Sequence, residues 1–352
     1  MLPGVRSRAP LRLGLAGGGT DVSPYCDEFG GAILNVTIDR YAHATIMERE
    51  DDQIEFVATD LEKRELLPLD AELPIDAGLR IHRGVYNRIV REFNGGRPLP
   101  LTISTGVDAP AGSGLGSSSA LVVAMVEAFG AYLDLPLGAY DVAHLAYEIE
   151  RIDLALNGGR QDQYAATFGG INYMEFLPTD RVIVNPLRVA DRILHEFEAS
   201  LVICFTGISR DSAAIIDEQS SAMASKNIKS LAALHQIKMD AQKMKQALLA
   251  GDIRQMAEIL ADSWNAKKLS ANSVSNAHID ELYRLAMEAG AWAGKVSGAG
   301  GGGFMMFLTD PTNRQHLKAA LREGGAAPSN CQFTQKGAIS WPVPGIKLLR
   351  VS

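Results

Sequence analysis

Pro110-Ala111-Gly112-Ser113-Gly114-Leu115-Gly116-Ser117-Ser118-Ser119-Ala120 lies between a short strand candidate, Leu101–Ser104, and an apolar helical run reaching about Leu133. Glycines at alternate positions let the backbone curl with its N–H groups turned inward. The serines open a helix whose N-terminal dipole favours anions. Together they make a polyphosphate cradle. A tight turn with a serine N-cap is the simpler account, but a cap needs one serine, and here three follow three spaced glycines. No GK[ST] follows, so this is not a Walker A loop, and the serines have to supply any hydroxyl ligand to magnesium.

Two more glycine clusters flank this one in the chain. Ser297-Gly298-Ala299-Gly300-Gly301-Gly302-Gly303 formally contains GxGxxG. A dinucleotide site needs a helix next and an acidic residue about 20 positions on, but Phe304–Leu308 reads as a buried strand. The cluster instead fits a hairpin-like turn whose backbone approaches a ligand, and a dinucleotide oxidoreductase is excluded. The third cluster, Leu13–Thr20, ends the strand Leu11–Leu15, with Arg12 before it and Asp21 closing it. A surface ion pair and a phosphate-and-sugar site account for these two charges equally. Asp162, flanked by Arg160, Gln161 and Gln163, starts a short helix. Local physics favours an N-cap there; a base for a hydroxyl would be a carboxylate held near cations. Glu148 and Glu150, late in the preceding helix, read as solvated charges.

Strands are expected at Ala32–Ile38, Ala42–Glu48, Ile171–Phe176, Leu201–Phe205, both flanks of the 297–303 cluster and near 331–341. Helices are expected at Leu79–Phe93, at Asp141–Ala155 with Asp141 as N-cap, and at roughly 211–250, 252–268, 277–289 and 312–323, with Gly251-Asp252 as a cap pair. The apolar positions Ile228, Leu231, Leu234 and Ile237 suit a homodimer interface or the outer layer of a second domain equally.

At 352 residues, two domains are expected, with a boundary near residue 190 (1–190 and 191–352). A hydrophobic fraction of 47% and a charged fraction of 21% leave apolar material for two cores. Net charge −7 and pI near 5.6 argue against nucleic acid and anionic membrane as partners. Cys26, Cys204 and Cys331 are sparse and unpaired in pattern, implying reduced thiols, with Cys204 buried in Leu201–Phe205. The N-terminal MLPGVRSRAP has no signal-like apolar segment, and the uncharged run Ala109–Val126 begins in Gly, Ser and Pro, unlike a membrane span. A soluble, cytoplasmic protein is expected.

Three ordered motifs, Ala9–Asp21, Pro110–Ala120 and Lys295–Phe304, resemble those of the GHMP small-molecule kinases, and the likeness covers essentially the whole chain. The resemblance implies an α+β fold: a ribosomal-protein-S5-like N-terminal domain, a ferredoxin-like C-terminal domain and an active site between them. It implies that Pro110–Ser119 wraps the phosphates of ATP and that Ser118 and Glu150 hold Mg²⁺. It further implies that Asp162 is the catalytic aspartate, stabilised with the transferring phosphoryl by Arg12. Asp21 matches a sugar-contacting aspartate of the galactokinase branch, in which the positions of Gly18 and Gly19 carry Glu and His; that departure argues against galactose.

RLGLAGGGTDVSPY and GGRQDQYAATFGG look most like the subfamily acting at C1 of a heptose 7-phosphate, on the route to nucleotide-activated heptose for surface polysaccharide. The acceptor is then expected near Gly18, Gly19, Thr20, Asp21, Gly300 and Gly301. Arg210 is the first choice for its phosphate, with Lys295, Arg83 and Arg160 as alternatives. The rivals are a fucose-type 1-kinase, a mevalonate-type kinase and a non-catalytic ATP/sugar sensor. The intact set Arg12, Ser118, Glu150 and Asp162 speaks against the sensor.

Overall fold

The computed structural model describes residues 4–209, 215–218, 221 and 228–344. Its strands, in chain order, are β1 (Gly4–Ala16), β2 (Gly31–Glu48), β3 (Gln53–Ala58), β4 (Lys63–Pro68), β5 (Leu101–Val107), β6 (Ile171–Leu177), β7 (Arg181–Pro186), β8 (Leu201–Phe205), β9 (Ala291–Val296), β10 (Phe304–Thr309), β11 (Ala327–Ser329) and β12 (Ile339–Val343).

In β1 exposure alternates up to Arg8, and every position from Ala9 onward is buried. That switch marks a strand whose second half is covered on both faces. β1 and β2 lie at the centre of an eight-stranded sheet ordered β12-β1-β2-β5-β3-β4, with β6 beside the first part of β2 and β7 beyond it. The two strands expected at 32–38 and 42–48 are one continuous strand. The expected break is a bulge: Pro10 faces Tyr41 while Arg12 faces Thr37, and Asp39 is pushed out to solvent. Helix Ser117–Tyr132 buries Val122, Val123, Met125, Val126 and Phe129 against this sheet, and Ser7 Oγ donates to its Ala124 carbonyl at 2.5 Å.

The second sheet is antiparallel, with order β11-β8-β10-β9. Helices Ile228–Ala250, Ile253–Ser270 and Ala277–Glu288 lie between β8 and β9 in the chain, and Arg314–Glu323 lies between β10 and β11. This is the βαββαβ order of a ferredoxin-like unit, and the chain as a whole is α+β, as expected. The helical pattern expected from 211 falls largely outside the described residues before Ile228. In Ile228–Ala250, Leu234 and Ile237 are buried with Tyr25 and Ala266, whereas Ile228 is exposed. Asp252 caps the next helix, accepting from the Gln255 N–H at 2.9 Å after Gly251 at φ 75°.

β3, β4, β7 and β11 and helices Tyr25–Phe29 and Asp191–Ser200 went unread in the sequence; all are short, and the edge strand β4 carries Lys63, Arg64 and Glu65. Asp141 is not the N-cap of its helix; Gly138 is, and the Asp141 carboxylate accepts from the Gly138 N–H at 2.8 Å. The last strand, β12, leaves the second sheet and pairs antiparallel with β1.

Candidate active site

The three glycine clusters meet around a cavity of about 520 Å³. Arg12 organises it. The residue is 4% exposed; Nε donates to Asp162 Oδ1 at 2.8 Å, Nη2 lies 2.6 Å from the same oxygen, and Nη1 donates to the Gly114 carbonyl at 2.6 Å. Its backbone N–H donates to the Leu115 carbonyl at 3.0 Å. One arginine thus ties the phosphate-type loop to the aspartate.

Helix Gln161–Phe168 follows Arg160, which has helical backbone angles and offers no side-chain cap. Asp162 is therefore not the N-cap that local reasoning favours; it stands in the first turn, where the helix dipole suits its charge. Both Arg12 contacts fall on Oδ1. Gly116 closes in from the loop at φ 75°, and a β-carbon there would lie 3.1 Å from Asp162 Cγ, so glycine answers both the conformation and the approach.

Glu150 is 1% exposed, contrary to the solvated reading. The chain forms a π-helical turn at Ile149–Asp153, a device that re-aims side chains at sites. Ser118 Oγ donates to Glu150 Oε1 at 2.7 Å, and Gln163 Nε2 donates to Oε2 at 2.5 Å and to Ser119 Oγ at 3.1 Å. Glu148 instead pairs with Arg88 on the outer side.

Asp21 is 1% exposed and makes no surface pair with Arg12. Its Oδ2 accepts from the Gln161 N–H at 3.0 Å, and Oδ1 accepts from the Gly19 N–H at 3.3 Å. Burial raises its pKa above the ordinary carboxylate value; these N–H bonds oppose the rise and the charge of Asp162 adds to it.

The Ser297–Gly303 cluster clamps the Pro110–Ala120 loop. Gly298 packs on Gly114, Ser297 Oγ donates to the Gly114 carbonyl at 3.0 Å, and the Phe304 N–H donates to Ser113 O at 2.8 Å.

Of the expected site residues, Arg12, Gly18, Gly19, Asp21, Ala111, Gly112, Gly114, Gly116, Ser117, Ser118, Ser119, Glu150, Asp162 and Lys295 line the cavity. The others stand behind it or away from it. Pro110 is exposed, and Ser113 and Leu115 are buried under the loop. Thr20 Oγ1 donates to the Gly17 carbonyl at 2.8 Å and so holds the turn. Gly300 packs against Val274, and the Gly301 N–H donates to the Val274 carbonyl at 2.8 Å; this pair secures the hairpin and not the cavity wall. Arg83 pairs with Glu65, and Arg160 with Asp27 and Asp180. Arg210 lies outside the described residues.

Sequence reasoning missed Lys267, which lines the cavity at 4% exposure and donates to the Gly298 carbonyl. Burial, and then Arg12, push its pKa down to about 8, against an upward pull from Asp21. A signal was available: Met256, Leu260, Trp264 and Lys267 follow one another at helical spacing on the buried stripe of Ile253–Ser270. Gln161 and Gln163 were named only as neighbours of Asp162, yet one holds Asp21 and the other holds Glu150.

Comparison with known proteins bears on the fold and the family. The family description for the GHMP kinases N terminal domain matches residues 80–170, and that for the GHMP kinases C terminal matches residues 244–327. A D-glycero-alpha-D-manno-heptose 7-phosphate kinase of Campylobacter jejuni is 47% identical over 345 residues, covering 96% of this chain and 99% of that protein. A crystal structure of a D-glycero-D-manno-heptose 1-phosphate kinase from Bacteroides thetaiotaomicron has a TM-score of 0.83 at 45% identity, over 97% of this chain and 100% of that one. The galactokinase of Lactococcus lactis, solved with galactose, shares the fold at TM-score 0.73 and 19% identity, over 96% of this chain and 95% of that one. The chain belongs to the GHMP kinases.

Proposed function

We propose that this kinase transfers the γ-phosphoryl group of ATP to the C1 hydroxyl of D-glycero-D-manno-heptose 7-phosphate, giving the 1,7-bisphosphate for nucleotide-activated heptose and surface polysaccharide. The observation that carries the transfer is Arg12, which touches both Asp162 and the Gly114 carbonyl of the phosphate-type loop. The acceptor follows from the heptose 7-phosphate kinase of Campylobacter jejuni, similar over nearly the full length of both chains.

Phosphoryl transfer needs positioning and charge neutralisation more than covalent work. Backbone N–H groups of Gly112–Ser118 and the N-terminus of Ser117–Tyr132 would hold the ATP phosphates. Arg12 fixes Asp162 by Oδ1, which leaves Oδ2 to orient the C1 hydroxyl and take its proton as the oxygen attacks phosphorus and ADP departs. An anomeric hydroxyl is more acidic than an ordinary alcohol, which lightens that task.

Ser118 Oγ and Glu150 Oε1, 2.7 Å apart on the cavity wall, are the hard oxygen donors that suit Mg²⁺. Among the described residues no cluster of three His, Cys, Asp or Glu side chains could hold a metal, so phosphates and water would complete the shell. A bound magnesium ion would neutralise charge on the ATP phosphates.

We place the reaction in the cytoplasm; in support, the three cysteines are free and buried, and among the described residues no helix is long and apolar enough to cross a membrane. We divide the chain functionally near residue 190, with β12 returning to the first sheet.

ADP release by the purified protein with MgATP tests the reading across heptose 7-phosphate, mannose, fucose, galactose and mevalonate. Fast turnover with heptose 7-phosphate alone is expected. Turnover with fucose or mevalonate would overturn the acceptor, and ATP binding with no turnover on the whole panel would favour a sensor.

A further inference from the structure

Two buried lysine side chains on the cavity wall have no carboxylate partner among the described residues. Lys267, from helix Ile253–Ser270, and Lys295, from β9, are each 4% exposed. Lys267 Nζ donates to the Gly298 carbonyl, and Lys295 Nζ donates to the Leu15 carbonyl at 3.4 Å. Among the described residues neither comes within ion-pairing distance of Asp or Glu, whereas Arg12 beside them is matched by Asp162. An ammonium has three donors, and each of these spends one on a carbonyl. Buried, unpaired charge is costly, and burial together with the other cations lowers both pKa values. An anion is the partner that relieves it.

The position of the pair says which anion. Lys295 holds the root of the Gly17–Asp21 turn through Leu15. Lys267 stands beside Gly18, where an added β-carbon would lie 3.9 Å from Nζ. On the kinase reading this is the acceptor side of the cavity. The phosphates of the donor have their own provision in the glycine loop, the helix N-terminus and Arg12. A neutral sugar brings no charge to offset two ammonium groups; a phosphomonoester does.

We propose that Lys267 and Lys295 hold a phosphate group carried by the acceptor and so select phosphorylated over free sugars. The inference rests on the kinase reading above.

The test is the kinetics of wild type, Lys267→Met and Lys295→Met with heptose 7-phosphate and with the unphosphorylated heptose. Methionine keeps the length and apolar fit of the side chain. For each variant, kcat/KM on the phosphorylated sugar relative to the free one should fall roughly 10- to 100-fold, the range for a hydrogen bond to a charged group. The ATP KM should stay within about twofold, which also reports an intact fold. Equal losses of kcat on both sugars would place the lysines on the transferring phosphoryl and overturn the inference, as would a rise confined to the ATP KM. Calorimetric binding of heptose 7-phosphate separates this inference from the reading beneath it. Binding lost in the variants supports the lysine site even in a protein that turns nothing over, and unchanged binding refutes it.

Discussion

On the proposed mechanism, Asp162 and Lys267 are where single side chains decide the chemistry. Asp162→Asn keeps the shape but cannot take a proton, so kcat should fall by about 10²- to 10⁴-fold while the ATP KM changes little; steady-state kinetics check this. Lys267 gives the site a pH signature. It faces Arg12, Asp21 and Lys295, and its pKa of about 8 means the ammonium is lost as pH rises through that value. The acceptor KM should therefore climb above about pH 8, and Lys267→Met should flatten that limb. The stability sign follows. Between about 8 and the ordinary 10.5 the unfolded chain holds a proton that the native state resists, so the unliganded protein gains stability as pH rises through that window. Below it the buried charge costs on the order of 3 kcal/mol, and Lys267→Met should raise the urea midpoint at pH 7 accordingly. That Arg12, Ser118 and Asp162 line one cavity was legible in the sequence because they belong to ordered motifs. Glu150 was not legible from local physics, which reads a glutamate late in a helix as solvated, and Lys267 showed only as one position on a helical apolar stripe. Only the π turn and the packing of the helix stripe show which way each side chain points.

Among the elements, the glycine loops illustrate how conformation and proximity differ. Gly116 and Gly95 both have positive φ, 75° and 60°, but a β-carbon at Gly116 would press on Asp162 while at Gly95 it would meet nothing within 4 Å. Gly95→Ala should cost about 1–2 kcal/mol of stability and leave kcat unchanged. Gly116→Ala should cost a similar amount and also lower kcat by about tenfold or more, since displaced near-attack geometry is expensive. Chemical denaturation and kinetics on the two variants, side by side, make the check. The elements that carry the site were legible because glycine clusters punctuate them: the end of β1, the Ser117–Tyr132 start and the β9–β10 hairpin. β2 was read as two strands because its bulge places Asp39 and Arg40 in mid-run, and β4 and β7 escaped because edge strands need fewer apolar residues.

In the molecule as a whole, the last described strand closes the first sheet. β12 pairs Ile339 with Arg8 and Val343 with Gly4, at the far end of the strand that carries Arg12. A chain ending at Ala338 should bare that edge, lower the thermal midpoint and self-associate with rising concentration; light scattering and thermal unfolding would show it, and an unaltered, monodisperse protein would contradict it. Nothing near residues 339–343 announces that return in the sequence, because β12 alternates as any strand would and its partner lies more than 300 positions away. The central claim is C1 phosphorylation of a heptose 7-phosphate, and phosphorus NMR of the product formed from MgATP and that sugar tests it most directly. The account predicts a second phosphate ester whose phosphorus couples to the anomeric proton. A new phosphate coupled to any other proton, or ADP formed with no new ester, would contradict it.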